Sequence, residues 1–446
     1  MNSNGTKKVA ITNSISVAEY VDFPEKSVKE FCKKLFLDPD KNVFDVVKNL
    51  MWATQKFIEN VPKIKNKQVN IYMQSVGDPD ALASARVLGE LMLLNGANDY
   101  RILCPKIGHP QNVQMLEICN IVVFRVVEEA IFEKGINCIV DASPPLGKRN
   151  TQHVKNPPHE IFFVCDHHDD ADSIMAQCKE SGVKSITIPI IGKRVGSTSS
   201  MMAFMALHMK QLENITPETK AALLLGMYTD TNGMAHNVTS LDSAMFNVLN
   251  EGRAAEIFST LQYYDYPDDW LELKHKAYVN QRKIGRVRLT TTGLTPDYCR
   301  DVIAECANDI LRQKNTAISF CLAITLNGLE LSVRANSKLL KMEPDRIIHI
   351  VGDMFNELFP NKSGFKFSNS FPHNVEGGAC VPLEQIDQIF LDIKCQKPDY
   401  CNKDTQDKSL SRCREYIESI IKVLQGMVLD DPELMSGLGL EIHENK

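Results

Sequence analysis

The sequence lacks the features that mark several classes of protein. Its 13 cysteines are scattered without a C-x-x-C pair and no signal peptide is evident, so we expect reduced, mostly buried thiols in a cytoplasmic protein. No apolar run reaches the roughly 18 to 20 residues of a membrane span. The net charge of −6 provides no global basic field, which disfavours long duplex DNA as a partner.

Internal repeats and low-complexity tracts are missing too, and the chain instead alternates between apolar runs and helical patterns. Its 446 residues, 43% of them hydrophobic, have room for two or more domains. Apolar runs typical of strands occur at 69–73, 101–104, 121–124, 136–140, 161–165 and 185–191. Helical patterns fall between several of them, notably at 81–94, 110–119 and 197–211. The alternation predicts an α/β fold with a doubly wound, mainly parallel sheet.

A second, smaller α/β domain is expected further along the chain. A strand pattern at 287–292 and a helical pattern at 296–312 precede a hairpin, whose turn we place at Asn327-Gly328 because this pair favours a type I′ turn. The predicted segments are a helical N-terminal extension (1–66), the first α/β domain (67–240), a helical linker (241–284), the second α/β domain (285–395), and a C-terminal helix with its tail (396–446).

Acidic clusters follow several of the apolar runs in the first domain. They are Asp78-Pro79-Asp80, Asp141, Asp166-His167-His168 and Asp230, the last of which we also place at a strand end. Because the carboxyl ends of parallel strands meet at one edge of a sheet, these side chains are expected to converge on one crevice. Carboxylates with one or two imidazoles suit Mn²⁺ or Mg²⁺ better than Zn²⁺. Taken alone, Asp78 or Asp80 could equally be a helix cap.

The motifs are similar, in order and spacing over residues 69–235, to those of the DHH phosphoesterase superfamily. Members include RecJ-like nucleases, nano-RNases, cyclic-dinucleotide phosphodiesterases, exopolyphosphatases and family II inorganic pyrophosphatases. The family's first motif, H-x-N-P-D-G-D-A-x-G-S, corresponds to the segment from Gln74 to Ser84, and both metal-binding aspartates match. Asp141, the Asp166-His167-His168 triplet and Gly196-Ser197-Thr198 correspond to the second, third and fourth motifs. The chain resembles the two-domain branch of the superfamily, which carries a DHH-associated C-terminal domain.

The resemblance implies a site with two Mn²⁺ or Mg²⁺ ions. Asp78 and Asp141 would hold one ion, and the other would be held by Asp80, Asp141, His167 and Asp230. The family's leading histidine is Gln74 in this chain, and a neutral amide is a weaker ligand than an imidazole.

The resemblance also assigns roles beside the ions. His168 would face the scissile phosphate, and Asp166 would orient His167. Ser197 and Thr198 would cradle phosphate at a helix N-terminus, although such a run is more often a plain helix cap.

The second domain would contribute the substrate grip. The family's arginine corresponds to Arg334, and its glycine-rich loop to the stretch holding His373, Gly377 and Gly378, with Phe371-Pro372 in place of the leading glycines. Outside the resemblance, Arg334 could be a solvated strand residue and His373 a turn residue. Further histidines, His109, His208 and His236, are weaker candidates for the site.

Together these features predict a metal-dependent phosphoesterase that hydrolyses short phosphodiesters, such as oligoribonucleotides or linear and cyclic dinucleotides, through a hydroxide activated by two metal ions. The alternatives are a catalytically impaired DHH protein that binds a nucleotide as a regulator, and a phosphatase of polyphosphate or 3′-phosphoadenosine phosphate. A homodimer is among the expected assemblies, and a membrane is not an expected partner.

Overall fold

The structure is a computed structural model in which the chain forms two compact units. The first comprises Met1–Ile107 and Gln111–Tyr264, and the second Gly108–Pro110 and Asp265–Lys446. The residues that the structure describes are 24–35, 41–74, 76–124, 135–142, 160–168, 185–191, 195–235, 237–325, 328–343, 346–347, 349–353, 366–370, 374–382, 418, 421–423, 426 and 428.

The first unit is built on a six-stranded parallel sheet. Its strands are β1 (Gln68–Tyr72), β2 (Asp99–Leu103), β3 (Val123–Phe124), β4 (Ile136–Val140), β5 (Glu160–Asp166) and β6 (Ser185–Ile191). They lie in the order β3-β2-β1-β4-β5-β6, and every neighbouring pair is parallel. This is the order of a doubly wound sheet, so the prediction from the alternating pattern is confirmed.

Helices connect and cover these strands. In chain order they are α1 (Glu25–Lys34), α2 (Lys41–Ile64), α3 (Pro79–Leu94), α4 (Pro110–Ile118), α5 (Thr198–His208), α6 (Pro217–Asp230), α7 (Ser240–Leu249) and α8 (Gly252–Leu261). The helices of the N-terminal extension, α1 and α2, bury Val28 and Leu50 in the same apolar core as the sheet. Among the described residues, no helix combines the length and apolar character that crossing a membrane would require.

The position of Asp230 differs from the sequence-based expectation. It is the last residue of a helix, α6, and does not end a strand. The helix begins with Pro217 after Thr216, whose side chain accepts a hydrogen bond from Thr219 N. Proline at the first helical position after a threonine cap is a strong helix start, and the Ala- and Leu-rich run that follows has high helix propensity.

The second unit contains a six-stranded mixed sheet. Its strands are β7 (Arg282–Ile284), β8 (Val287–Leu294), β9 (Ile318–Thr325), β10 (Gly328–Asn336), β11 (Lys366–Ser370) and β12 (Asn374–Pro382), in the order β11-β12-β10-β9-β8-β7. Its helices are α9 (Asp268–Val279), α10 (Val302–Leu311) and α11 (Ser337–Leu340). The predicted hairpin is present as the antiparallel pair β9–β10, in which Thr325 pairs with Gly328. Residues 326 and 327 lie outside the described residues, so the type I′ turn stays a prediction.

The segment predicted as a linker, 241–284, is divided between the units. Helices α7 and α8 pack into the core of the first unit, whereas α9 packs on the second sheet, with Trp270 fully buried against α10. Of the predicted C-terminal helix, the described residues are helical, and Ile421 and Val428 are buried in the core of the second unit. The described cysteines are free and buried, apart from the half-buried Cys380.

A buried carboxylate joins two of the helices that carry predicted site residues in the first unit. Glu90, on α3, accepts hydrogen bonds from Thr216 N, from Thr216 Oγ1 and from Thr219 Oγ1 at the start of α6, at 3.2, 3.0 and 2.6 Å. Arg86 Nε lies 3.1 Å from the same carboxylate. The four donors satisfy a charge that would otherwise be costly to bury, and they fix the start of α6 against α3.

We expect Glu90→Ala to lower the free energy of unfolding by about 2 to 4 kcal/mol, because it leaves buried donors and the Arg86 guanidinium unpaired. Urea denaturation measures the change. The matched control is Glu59→Ala, which removes an exposed glutamate that pairs with Lys56 on α2 and should change stability little. Equal effects of the two substitutions would contradict the structural role assigned to Glu90.

Candidate metal centre

The candidate site lies where the order of the strands in the first sheet reverses. The chain runs from β1 outward to β2 on one side, and β4 continues outward to β5 on the other. The carboxyl ends of β1 and β4 therefore form the topological switch point, where doubly wound sheets bind ligands. Asp78 and Asp80 follow β1, Asp141 follows β4, and His167 follows β5.

Asp80 is fully buried and is held by the start of α5. Its two carboxylate oxygens accept hydrogen bonds from the backbone N–H groups of Ser199 and Thr198, at 2.7 and 2.8 Å. The first N–H groups of a helix have no partner within the helix and carry partial positive charge, which suits a carboxylate. In this structure they bind Asp80.

Ser197 and Thr198 also bind within the protein. Ser197 is the N-cap of α5, because its Oγ accepts a hydrogen bond from Ser200 N at 3.1 Å, and this matches the plain-cap alternative. Thr198 Oγ1 donates to Asp141 Oδ1 at 3.0 Å. A phosphate contact by either residue stays a prediction.

Asp141 has an unusual backbone conformation. Its φ angle is +51°, in the left-handed region, and its N–H donates to Cys165 O at 2.8 Å. Aspartate tolerates this region better than most residues, but such conformations are uncommon and concentrate at functional sites. The turn places the Asp141 carboxylate among the other acids, with only 1% of the residue exposed.

His167 points one ring nitrogen into the acidic cluster. Its Nδ1 lies 3.0 Å from Val195 O, a carbonyl that can only accept, so this nitrogen carries the proton. Its Nε2 lies 3.1, 3.5 and 3.9 Å from carboxylate oxygens of Asp230, Asp141 and Asp80, respectively. No hydrogen bond to Nε2 is found among the described residues, although this atom is buried. A buried ring nitrogen that faces three carboxylates is arranged to hold positive charge, from a proton or from a bound cation.

Asp166 orients the neighbouring histidine. Its Oδ1 lies 2.5 Å from His168 Nδ1 and also accepts from His168 N at 3.3 Å. The expectation that Asp166 orients His167 is therefore wrong, because the carbonyl of Val195 does so instead. The hydrogen bond from His168 lowers the pKa of Asp166 even though burial opposes ionisation.

Asp78 and Gln74 contact each other at the remaining corner of the site. Gln74 Nε2 donates to Asp78 Oδ2 at 2.5 Å. The other carboxylate oxygen, Asp78 Oδ1, accepts from Ala81 N at 2.9 Å and caps α3. The cap that the sequence left open as an alternative for Asp78 is thus present, and Gln74 turns a donor toward it.

The proximity of these acids shifts their pKa values. Burial raises the pKa of Asp80 to about 7, and Asp230 adds to the rise. Burial also raises the pKa of Asp141 well above its usual range, with further contributions from Asp78 and Asp80. Burial disfavours the charged form of His167, yet the surrounding carboxylates hold its pKa well above the ordinary value. The cluster therefore requires positive charge, from protons or from a cation.

The donors fit a divalent cation. Two groups have ligand atoms within 4.8 Å of one another: Asp80, His167 and Asp230 form one, and Asp141, His167 and His168 form the other. Carboxylate oxygens with imidazole nitrogens suit hard to borderline cations. His168, which the sequence assigned to the substrate, is thus also within reach of a metal.

The second unit places Arg334, Gly377 and Gly378 on its sheet. Arg334 lies within β10, where its Nε donates to Asn308 Oδ1 at 2.7 Å and its Nη1 to Ser332 Oγ at 3.0 Å. Gly377 and Gly378 are strand residues of β12 and pair with Val333 and Ser332 of β10. The two glycines therefore lie on a strand, residues 371–373 of the same stretch lie outside the described residues, and a substrate contact by this stretch stays a prediction. His373 lies outside the described residues.

Two of the weaker histidine candidates, His109 and His208, have partners outside the cluster. His109 Nε2 lies 2.8 Å from Glu305 Oε1, within the second unit. His208 contacts the rings of Phe31 and Phe204, and burial lowers its pKa, as for a core histidine. His236 lies outside the described residues.

Comparisons with known proteins were made for the whole chain. No family model matches it. An uncharacterized protein of Methanocaldococcus jannaschii is 21% identical over 351 residues, which span 77% of this chain and 67% of that protein. The crystal structure of an exopolyphosphatase-related protein from Bacteroides fragilis aligns with a TM-score of 0.52 at 17% identity, over 83% of this chain and 98% of that one. The chain has that fold.

A more distant solved structure is that of RecJ from Thermus thermophilus in complex with Mn²⁺. It aligns with a TM-score of 0.39 at 11% identity, over 82% of this chain and 55% of that one. At 17% identity, the likeness to the Bacteroides protein concerns the fold alone.

The structure adds two supporting residues that the sequence reading missed. Asp242 accepts from Gly196 N at 2.9 Å and from Ser200 Oγ at 2.5 Å, and so fixes the loop before α5. Its signal was present in the sequence, because Thr239 and Asp242 form a capping box. The other is Gly226, whose signal was absent: a Cβ built on it would lie 2.4 Å from Ser199 Oγ and 3.0 Å from Asp80 Cα.

We expect Gly226→Ala to lower the free energy of unfolding by about 1 to 3 kcal/mol and to weaken divalent-cation binding, because the added methyl must displace α5 or Asp80. The matched control is Gly426→Ala, at a helical glycine with nothing within 4 Å of the added Cβ. Urea denaturation and calorimetric titration with Mn²⁺ measure both effects. An unchanged affinity in Gly226→Ala would show that close packing at this glycine does not position the ligands.

We expect the metal-free protein to lose stability as the pH rises from about 5 to about 8. The raised pKa values of Asp80 and His167 mean that the folded state holds more protons than the unfolded chain in this window, so stability falls as those protons leave. A bound cation replaces the protons, so Mn²⁺ should raise the melting temperature more at about pH 8 than at about pH 5. A melting temperature that rises with pH in the metal-free protein would contradict this account.

Proposed function

We propose that this protein is a divalent-cation-dependent phosphoesterase of the DHH type. The observation that carries the proposal is the buried Nε2 of His167, which has no hydrogen-bond partner among the described residues and faces the carboxylates of Asp80, Asp141 and Asp230. A protein that only binds nucleotides has no need for converging, mutually repelling carboxylates at a topological switch point.

Two further lines support the DHH assignment. The order of the motifs, from Asp78 and Asp80 to the Asp166-His167-His168 triplet, is that of the superfamily, and the fold is shared with an exopolyphosphatase-related protein. The carboxylate-rich ligand set favours Mn²⁺ or Mg²⁺.

The chemistry divides between the cation and the protein. When bound, a divalent cation supplies Lewis acidity toward a phosphoryl oxygen and lowers the pKa of a water molecule. Asp80, Asp141, His167 and Asp230 would hold that charge in place. Asp166 accepts a hydrogen bond from His168 Nδ1, and His168 Nε2 would donate a hydrogen bond or a proton to the phosphoryl group.

We propose short phosphodiesters as substrates, such as di- to pentaribonucleotides or linear and cyclic dinucleotides. The acidic net charge of −6 favours a small ligand over a long polyanion. Arg334 would contact a substrate phosphate. Gly377 and Gly378 on the neighbouring strand, and His373 just before that strand in the sequence, would also contact the substrate. Polyphosphate is the second candidate, because the relative with the shared fold is described as exopolyphosphatase-related.

The test is hydrolysis of 5′-labelled di- to pentaribonucleotides with Mn²⁺, beside arms with a cyclic dinucleotide, 3′-phosphoadenosine phosphate and polyphosphate. We expect Asp141→Asn to lower kcat/KM by more than about 100-fold, because a ligand is lost while the shape and the tolerance for a left-handed backbone are kept. Asp45→Asn, at an exposed position of α2, is the matched control and should retain wild-type activity.

The outcomes separate the candidates. Turnover of one substrate class that is lost in Asp141→Asn supports a phosphoesterase and identifies its substrate. Tight nucleotide binding without turnover in any arm would overturn the enzyme proposal in favour of a regulatory DHH protein, as would equal rates in the wild type and in Asp141→Asn.

A further inference from the structure

We propose that the protein without substrate binds a single divalent cation, at His167, Asp80, Asp141 and Asp230, and that Gln74 takes the place of a second cation beside Asp78. The inference rests on the proposed function, since it concerns the same site. It departs from the two-ion arrangement that the motifs imply, and it is argued from the ligand atoms that are available.

His167 can bind only one ion, and both candidate groups depend on it. Both groups with metal-binding potential include His167. Its Nδ1 is committed to the carbonyl of Val195, so only Nε2, with a single lone pair, remains for coordination. An imidazole nitrogen binds one metal ion. The two groups therefore describe the surroundings of one cation and not two separate sites.

A second cation would need several ligands that converge beside Asp78. The Asp78 oxygens accept hydrogen bonds from Ala81 N at 2.9 Å and from Gln74 Nε2 at 2.5 Å. Such bonds do not by themselves prevent coordination, since both oxygens of Asp80 also accept backbone N–H groups. Among the described residues, however, Asp78 belongs to no group of three His, Cys, Asp or Glu side chains that could hold a metal. What this corner lacks is therefore a converging set of acidic or imidazole ligands.

The orientation of Gln74 is the decisive feature. Its amide directs the Nε2 hydrogens toward Asp78, and an N–H donor can stabilise a carboxylate but cannot coordinate a cation. The amide thus partly replaces a cation beside Asp78. It donates a hydrogen bond to the Asp78 carboxylate and so reduces the repulsion between Asp78 and the nearby Asp141. A histidine or glutamate at position 74 would instead offer a lone pair.

The experiment counts ions in the purified full chain without substrate. Calorimetric titration with Mn²⁺ and electron paramagnetic resonance of the loaded protein report the number of ions and whether two of them are coupled. We expect about one Mn²⁺ per chain in the wild type, with the spectrum of an isolated ion. Gln74→His should bind about two, with the spectrum of an exchange-coupled pair, because the new imidazole completes a site with Asp78 and Asp141.

Two further variants provide a control and a second readout. Gln281→His adds a histidine beside the Arg288 guanidinium in the second unit and should keep the wild-type count. Gln74→Glu replaces the donor with an acceptor. It should therefore need a second Mn²⁺ to relieve its repulsion of Asp78, seen as a larger rise in melting temperature with Mn²⁺ than in the wild type. This second readout applies if Gln74→His does not fold.

Two coupled ions in the wild type would overturn the inference, and so would the absence of any bound ion. It would also be overturned if Gln74→His still bound one ion and the melting temperature of Gln74→Glu rose with Mn²⁺ no more than that of the wild type. These outcomes are separate from those of the proposed function. One ion without hydrolysis leaves the inference standing, and hydrolysis with two ions in the wild type refutes only the inference.

Discussion

The hydrogen bonds from the start of α5 to the carboxylate of Asp80 are the interaction on which the candidate site depends. A fully buried carboxylate close to other acids is costly, and two backbone N–H groups with the partial positive charge of a helix N-terminus offset part of that cost. The same contact ties α3, which carries Asp80, to α5. Once these helices are joined, Thr198 is within reach of Asp141, and the loop before α5 is within reach of His167.

The surrounding packing is adjusted to this contact. Gly226 on α6 has no side chain where a methyl group would collide with Ser199 and Asp80, so the helix that ends in Asp230 can lie close to the cluster. Asp242 accepts a hydrogen bond from the loop before α5, and Glu90 accepts one from the start of α6. Both carboxylates are buried and find their donors within the first unit. Geometry at the site is therefore set by contacts that are not themselves ligands.

The arrangement also explains how an acidic set that resembles the family's would hold the single cation that we propose. Cation binding is decided by the number of lone pairs that converge, not by the number of acidic residues nearby. At the His167 corner, one imidazole nitrogen and three carboxylates face one another. At the Asp78 corner, an amide N–H and a backbone N–H bind the two oxygens, and among the described residues no group of three acidic or imidazole side chains includes Asp78. Glutamine at position 74 thus places a neutral amide, with its Nε2 donating to Asp78, where the family has an imidazole ligand.

The sequence by itself determined the α/β class, most of the strands, and the acidic and histidine side chains of the site, because strand periodicity and acidic motifs are local properties of the chain. Tertiary structure alone decided which partner each side chain has. Asp80 is bonded to residues 118 and 119 positions away, and His167 is oriented by a backbone carbonyl, which no side-chain pattern records. Asp230 was misplaced on a strand because an apolar run fits either element until the threonine cap and the proline at 217 are weighed. The direction of the Gln74 amide likewise depends on how the turn after β1 brings it back to Asp78, and that turn is a property of the folded chain.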